Sequence, residues 1–300
     1  MRVGRSFNLR SYNLLHTDGQ KGVALVFVLL ILSLLSIIAG SFSGGIRSDA
    51  SIVHLTKTRL QSNALTDAGL AYAQFMLSQP SLGLRWRTNV KSYPFTFDGH
   101  RMDIEIRDEA GKFDLNLIDQ ELLQVLIASF VENSESLSQA IIDYREGVNE
   151  SAFDAVFDHP TAQIKRPFKS VKELLLIEGM TEGLYQQLVP LLTVYSRQKL
   201  VDLSVASEAV LNALPGSDAT WVQQILDNRG VIEGNASLSI PPPMFKYVGV
   251  KTPRAGQYLT VSVWLTQVDG VKLASSTVLH RNARKGSPVF KELERNIRHE

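Results

Sequence analysis

An uncharged apolar segment near the N-terminus constrains this chain more than any other feature. It runs for 20 residues, from Val23 to Phe42, and about 20 apolar residues span the hydrocarbon core of a bilayer as an α-helix. The 22 residues before it carry four Lys or Arg residues and one acidic residue, Asp18. Because positive flanks stay on the cytoplasmic side, we expect a single-pass segment with the rest of the chain across the membrane.

Three kinds of N-terminal segment fit this pattern. A plain single-pass anchor would keep Met1. A secretory signal peptide would be removed after the apolar run, near Ser41, although its hydrophobic region usually has only about 7–15 residues. A prepilin-type leader would be cut before the run, between Gly22 and Val23, so that the mature chain keeps the whole apolar segment.

The third kind is favoured by a resemblance to type IV pilins. The sequence Lys21-Gly22-Val23, directly before an apolar run, resembles their processing site and implies cleavage by a prepilin peptidase at Gly22/Val23. Most pilins begin with Phe and carry Glu at the fifth mature position. This chain has Val23 and Phe27 at those positions.

The missing carboxylate is informative because a carboxylate inside a membrane is costly and normally kept for function. In pilins it is understood to help each subunit dock onto its neighbour. Its absence is typical of the protein K family of the type II (general) secretion pathway. In that family the absence is attributed to a position at the tip of the fibre, where no subunit lies above.

The apolar segment is expected to continue as one long assembly helix. No proline occurs between Val23 and Gln79, and Pro80 marks a stop. Further apolar residues recur at helical spacing, namely Val53, Leu60, Ala64, Ala68, Ala71 and Phe75. We expect the lower half of this stripe to pack in the head and the upper half to meet lipid or sister helices. The predicted assembly residues are Val23, Phe27, Leu30, Leu34, Val53, Leu60 and Ala64.

Two pairs of strands are predicted after this helix. Residues 93–97 and 101–106 flank Asp98-Gly99, and residues 257–266 and 271–279 flank Asp269-Gly270. Asp-Gly between strand-like runs indicates a hairpin. We therefore predict an α+β fold in which the N-terminal helix packs on an antiparallel sheet, with a large α-helical insertion between the two pairs.

The predicted insertion contains an internal repeat. Asp114-Leu115-Asn116-Leu117 precedes a helix pair that ends in Asp143-Tyr144-Arg145, and Asp202-Leu203-Ser204-Val205 precedes one that ends in Asp227-Asn228-Arg229. A third two-helix unit runs from Val171 to Leu192, with Thr181 as the N-cap candidate of its second helix. Repeated two-helix units pack by sharing a core.

These units resemble the SAM-like helical units of the protein K family. The run Gly111 to Leu117 and the run Ser170 to Leu174, followed by Gly179, match family motifs in the expected order. The resemblance implies a minor pseudopilin of the bacterial inner membrane with a periplasmic head. The implied partners are prepilin peptidase and the other minor pseudopilins of a tip complex. A minor pilin of a type IV pilus is the alternative.

The predicted organisation follows from these assignments. Residues 1–22 form the leader, 23–80 the transmembrane and assembly helix, 81–112 the first part of the head, and 113–235 the helical insertion. Residues 236–285 form the second part of the head. Residues 286–300 form the tail, and the charged segment from Arg281 to Glu300 is interpreted as a mobile, solvated end.

A metal site is a weaker expectation. Some members of the family bind calcium in the head, and acidic side chains at the end of the first unit offer oxygen ligands: Asp143, Glu146, Glu150, Asp154 and Asp158. Their spacing is not that of an EF-hand, and a solvated acidic loop is the alternative. No other cofactor is expected.

A membrane-anchored DNA receptor of the competence type is a rival hypothesis, because helix pairs joined by a Gly turn also bind DNA backbones. Residues 113–230 hold 17 acidic and 8 basic residues, and phosphate binding depends on cations, so no nucleic acid is expected. The chain has no cysteine and six scattered histidines. We find no catalytic motif and expect no enzyme, with a triad assembled only in the folded chain left open.

Overall fold

A computed structural model describes residues 19–81, 83–88, 92–147, 166–232, 240–252, 256–266, 272–282 and 288–299. The chain divides into two compact units, residues 1–61 and 62–300. The elements, in chain order, are α1 Gly19–Leu77, β1 Tyr93–Phe97, β2 His100–Asp108, β3 Phe113–Asp114, α2 Gln120–Ala128, α3 Ser134–Glu146, α4 Glu182–Leu188, β4 Leu192–Thr193, β5 Val201–Asp202, α5 Glu208–Asn212, α6 Ala219–Ile232, β6 Val248–Gly249, β7 Tyr258–Thr266, β8 Lys272–Arg281 and β9 Phe290–His299.

Helix α1 contains the apolar segment. Its residues Gly22–Gly40 have a mean hydropathy of 3.0, and none of them is buried. Within the described part of the chain this is the one helix long and apolar enough to cross a membrane, consistent with a single-pass anchor. The helix ends at Leu77, three residues before the predicted stop at Pro80.

The second unit is organised on a five-stranded antiparallel sheet with the order β1-β2-β7-β8-β9. The predicted hairpin at Asp98-Gly99 is confirmed, since both residues have positive φ angles of 50° and 75°, as a type I′ turn requires. Strands β7 and β8 also pair as predicted, and their connection at Asp269-Gly270 lies outside the described residues.

The C-terminal part of α1 covers one face of this sheet. Leu65, Leu70, Ala73 and Leu77 are buried against strand residues. Gly69 permits the close approach, because a Cβ atom there would lie 2.8 Å from Cγ1 of Val263.

The prediction about the apolar stripe of α1 is wrong for its lower half. Ala64 and Ala71 are exposed, Ala68 is half-buried, and Phe75 is 59% exposed. The side chains that face the sheet lie on the opposite side of the helix. The helix therefore has two apolar faces within residues 62–77, and only one of them is used by the head itself.

The interpretation of residues 286–300 as a mobile, solvated tail is also wrong. Residues Phe290–His299 form β9, which pairs with β8 along its length apart from a bulge at Val278/Leu279. The charged sequence suggested a solvated end. Charged residues are also usual on edge strands, where they discourage pairing with other chains.

The insertion between β2 and β7 has a separate hydrophobic core built from its helices. Short parallel pairs, β3 with β4 and β5 with β6, close its units. Met244, Tyr247 and Val248 belong to this core, so the insertion extends beyond the predicted boundary at residue 235. The predicted helix from Val171 to Ile177 is a 3-10 helix over Val171–Leu176.

Candidate functional site

The internal repeat is visible as two equivalent buried carboxylates. Asp114 Oδ1 accepts the backbone N–H of Asn116 (2.9 Å), and Asp202 Oδ1 accepts that of Ser204 (3.0 Å). In each unit the second oxygen accepts from a later loop, from Arg197 N (2.7 Å) for Asp114 and from Thr252 N (2.6 Å) for Asp202. Each carboxylate thus ties the start of its unit to the loop that follows the strand closing that unit.

The Asp-x-Arg sequence at the end of each helix pair is the second part of the repeat. The Arg145 guanidinium donates to the Ile118 carbonyl at 3.0 Å, and the Arg229 guanidinium donates to the Ala206 carbonyl. Ile118 and Ala206 both lie four residues after the unit's Asp. Thr181 acts as the predicted N-cap in the third unit, because its hydroxyl accepts the N–H of Leu184 at 3.2 Å.

A polar seam joins the sheet to the insertion. Glu109 is 2% exposed, and one of its oxygens accepts from Thr260 Oγ1 of β7 and Lys112 Nζ, each at 2.6 Å. Its other oxygen accepts from the Thr193 hydroxyl of β4. On β9, Glu294 accepts from Tyr195 Oη (2.5 Å) and Ser170 Oγ (3.0 Å) of the insertion.

Burial shifts the pKa of several groups in the second unit. Desolvation raises the pKa of Asp108 to about 7, although the N–H groups of Ala110 and Gly256 lower it in part. Desolvation likewise raises the pKa of Asp114. The pKa of Tyr195 is raised by burial and by its hydrogen bond to the Glu294 carboxylate. Asp108 and Asp114 are buried, whereas Tyr195 is half-buried.

The predicted assembly residues all lie on the surface of α1. Ala64 is exposed, and the exposed fractions of the others are 59% for Val23, 63% for Phe27, 59% for Leu30, 53% for Leu34, 67% for Val53 and 64% for Leu60. Gly22, the residue before the predicted cleavage point, lies within α1 with no neighbouring atom near its Cβ position. These positions can contact lipid or other helices.

The calcium hypothesis stays a prediction. Asp143 accepts from Gln139 Nε2 at 2.7 Å, and Glu146 lies 3.5 Å from Arg145, while Glu150, Asp154 and Asp158 lie outside the described residues. In the described ranges no group of three or more His, Asp or Glu side chains is placed to hold a metal ion.

A surface that sequence reasoning missed lies beside α1. Five aromatic side chains form it: Tyr72, Phe75, Trp86, Phe95 and Phe97. Ring centroids are 4.4 Å apart for Tyr72 and Phe95, 5.4 Å for Tyr72 and Trp86, and 6.2–6.4 Å for the Phe95–Phe97 and Tyr72–Phe75 pairs. The alternating aromatics of β1, Tyr93-Pro94-Phe95-Thr96-Phe97, were the available signal. We call these five residues the aromatic surface.

Comparison with known proteins gives consistent matches. The family model described as Type II secretion system (T2SS), protein K matches residues 111–197. The type II secretion system protein K of Pseudomonas aeruginosa PAO1 is 24% identical over 247 residues, covering 71% of this chain and 73% of that protein. An Escherichia coli K12 protein with the same protein K designation is 24% identical over 238 residues, covering 69% and 72%.

The fold also has a solved counterpart. A chain in the crystal structure of the GspK-GspI-GspJ complex from the enterotoxigenic Escherichia coli type 2 secretion system superposes with a TM-score of 0.55. The sequence identity is 16%, and the match covers 82% of this chain and 98% of that one. The shared fold therefore extends over most of both chains.

Proposed function

We infer that the chain belongs to the protein K family of the type II secretion system, and we propose that it caps or initiates the periplasmic pseudopilus as a minor pseudopilin. The observation that carries the tip position is the combination of Phe27 in place of a docking carboxylate with a head enlarged by a helical insertion. Subunits in the shaft of a fibre must stack closely, and a bulky head fits better at its end.

The apolar part of α1 supports the anchoring step of this proposal. Before assembly, Val23 to Phe42 holds the chain in the inner membrane with the head in the periplasm, because the basic leader stays cytoplasmic. Prepilin peptidase cuts between Gly22 and Val23. The freed helix then packs beside those of other minor pseudopilins, and growth of the fibre beneath them drives folded proteins outward.

The N-terminal residue of the chain extracted from membranes tests the processing step. We expect Val23, determined by mass spectrometry of the intact protein. Met1 would indicate an uncut anchor, and a start near Ser41 would indicate signal peptidase; either result contradicts the proposal. A Gly22→Leu variant is the matched control, and it should retain Met1 because a bulky side chain replaces the Gly at the cleavage point.

Copurification tests the tip complex. The full chain, solubilised in detergent, is expected to copurify with the other minor pseudopilins of the same secretion system. Labelling of isolated pseudopili with gold-tagged chain should mark ends only. Label spread along the shaft would contradict the tip position while leaving membership of the fibre intact.

A further inference from the structure

The aromatic surface is partly packed against the head and partly exposed, with Tyr72, Trp86 and Phe95 half-buried. Phe75 and Phe97 are 59% and 50% exposed, although both contact other rings of the surface. Exposed contiguous apolar patches on soluble domains usually mark interaction sites. Aromatic side chains supply large contact areas at the centres of such interfaces.

The two flanks of α1 in the second unit differ in chemistry. On the flank toward β1, Tyr72 leads into the aromatic surface. On the flank toward β9, Arg295 Nη1 lies 2.5 Å from Asp67 Oδ1, and Gln74 Nε2 lies 3.4 Å from Glu292 Oε1. We call these four residues the charged flank. Its polar groups are already paired within the head, whereas Phe75 and Phe97, the exposed side chains of the aromatic surface, carry no polar group.

The edge of the sheet beside the aromatic surface is poorly suited to strand addition. In a two-residue hairpin, Phe97 and His100 form a hydrogen-bonded pair. Hydrogen-bonded and non-hydrogen-bonded pairs alternate along the strands, so the backbone polar groups of Pro94 and Thr96 point toward the open edge of the sheet. Pro94 has no N–H, so this edge offers few donors to an added strand. Contact at this side must therefore use side chains and not backbone ladders.

We propose that the aromatic surface receives the apolar face of a helix from another minor pseudopilin, so that neighbours dock on the β1 flank of α1 and not on the charged flank. This inference rests on the proposed function. Three observations favour that occupant. The outward residues Ala64 and Ala71 are exposed on the same helix that contributes Tyr72 and Phe75 to the aromatic surface. They are apolar, as the face of an assembly helix is. The chain with the matching fold was solved in a complex with GspI and GspJ.

The test compares two pairs of substitutions in the full chain, solubilised in detergent and coexpressed with its cognate counterparts of GspI and GspJ. One pair is Phe75→Ser with Phe97→Ser. The matched control is Leu293→Ser with Ile297→Ser, which removes side chains of β9 that are 39% and 44% exposed. We expect the aromatic pair to reduce the recovered complex at least tenfold and the control pair to leave it within twofold.

A second measurement keeps the result interpretable if a variant misfolds. The chain has no cysteine, so single variants Ala71→Cys and Asn296→Cys each carry one thiol at an exposed position. Binding of the two partners should slow maleimide labelling at position 71 and leave position 296 unchanged.

The outcomes distinguish failure of the proposed function from failure of the docking inference. If no complex forms with the unmodified chain, the proposed function fails. If the complex forms and withstands the aromatic pair, or if position 296 is protected and position 71 is not, the docking inference is overturned while the proposed function stands. Self-association that depends on Phe75 and Phe97 would assign the surface to a second copy of this chain and would also overturn the inference.

Discussion

The buried carboxylates of the repeat act as organisers of loops that have little regular structure. Asp202 is fully buried and accepts from the backbone and hydroxyl groups of Ser204 and Thr252. Hydrogen bonds to a charged acceptor are stronger than neutral ones. A donor left unpaired in the interior costs about 1–3 kcal/mol. The position of such an Asp is therefore fixed by several loops at once.

Replacement of Asp202 tests this role. Asp202→Ala should lower the free energy of unfolding by more than about 3 kcal/mol, because several buried donors lose their acceptor together. Asp218→Ala is the graded control, since among the described residues the Asp218 carboxylate accepts the single N–H of Trp221 at the start of α6, and loss of a cap costs about 1 kcal/mol. Urea unfolding in detergent measures both. Equal losses would argue against an organising role for Asp202.

Gly111 is a residue at which no side chain can be added. A Cβ atom there would lie 2.6 Å from the Val205 carbonyl oxygen and 2.8 Å from the backbone of Ala206. Gly111→Ala should therefore displace the second repeat unit and destabilise the chain by at least about 1–3 kcal/mol. Gly183→Ala, in α4 with open space around it, should stabilise by up to about 1 kcal/mol. The two midpoints of thermal unfolding should move in opposite directions.

The raised pKa of Asp108 predicts that the free energy of unfolding depends on pH. Its pKa of about 7 in the folded chain lies above the ordinary value of 3.8, so the folded chain holds a proton that the unfolded chain releases. Stability from this group is complete below about pH 4 and is lost as the pH rises toward about 7. Over that range the contribution of Asp108 to the free energy of unfolding falls by at most about 1.4 kcal/mol per pH unit. Asp108→Asn should remove this dependence.

The comparison for Asp108 is made between unfolding curves of the parent chain and the variant at pH 5, 6, 7 and 8. Other buried acids, such as Asp114, titrate in both proteins, so the difference isolates one group. The difference between the free energies of unfolding of the parent chain and the variant should change between pH 5 and 7 and level off above that range. A constant difference at every pH would mean that Asp108 stays ionised in the folded chain.

Strand β9 contacts two parts of the head that are distant from it in the sequence, helix α1 and the insertion. Its residue Arg295 contacts Asp67 on α1, and Glu294 contacts Ser170 and Tyr195 in the insertion. The strand therefore touches both the helix and the insertion from the edge of the sheet. A charged C-terminal segment of this kind gives no period-two apolar signal, because its contacts with α1 and the insertion are made by charged side chains such as Arg295 and Glu294.

Glu294 is the residue through which β9 holds the insertion. Glu294→Ala should cost about 1–3 kcal/mol, since Tyr195 and Ser170 both lose a charged, half-buried acceptor. Glu292→Ala, two residues away and exposed, should change the free energy of unfolding by less than about 0.5 kcal/mol. Circular dichroism during chemical unfolding measures both. Similar values for the two variants would show that β9 is held by its backbone pairing alone.

The elements that could be predicted from sequence are those with a local physical signature. The apolar run, the Asp98-Gly99 hairpin, strands β7 and β8 and the Thr181 cap all depend on neighbouring residues. The outward face of α1 could not be assigned, because both of its faces carry apolar residues and only packing decides which one meets the sheet. The aromatic surface was missed for a related reason, since Tyr72 and Phe95 meet only when α1 lies on β1.

At the scale of the head, two hydrophobic cores are joined by polar contacts. One core lies between α1 and the sheet, and the other lies within the insertion. Between them the contacts include the carboxylates of Glu109 and Glu294 with hydroxyl groups on the opposite side. Hydrophobic contact is not directional, whereas these hydrogen bonds fix one orientation. The seam therefore holds the insertion at a set angle on the sheet.

Cooperative unfolding of the two cores should depend on Glu109. Glu109→Ala leaves Thr193, Thr260 and Lys112 without their acceptor, which weakens the seam and leaves each core internally intact. Calorimetry should then resolve two transitions where the parent chain shows one. Hydrogen exchange should quicken at amides of α4 and β4 before those of β2 and β7. Glu105→Ala is the matched control, because its partner within the described residues is the exposed Arg107. A single transition at lower temperature in Glu109→Ala would mean that the cores are coupled through apolar contact, and the seam would then set orientation without setting cooperativity.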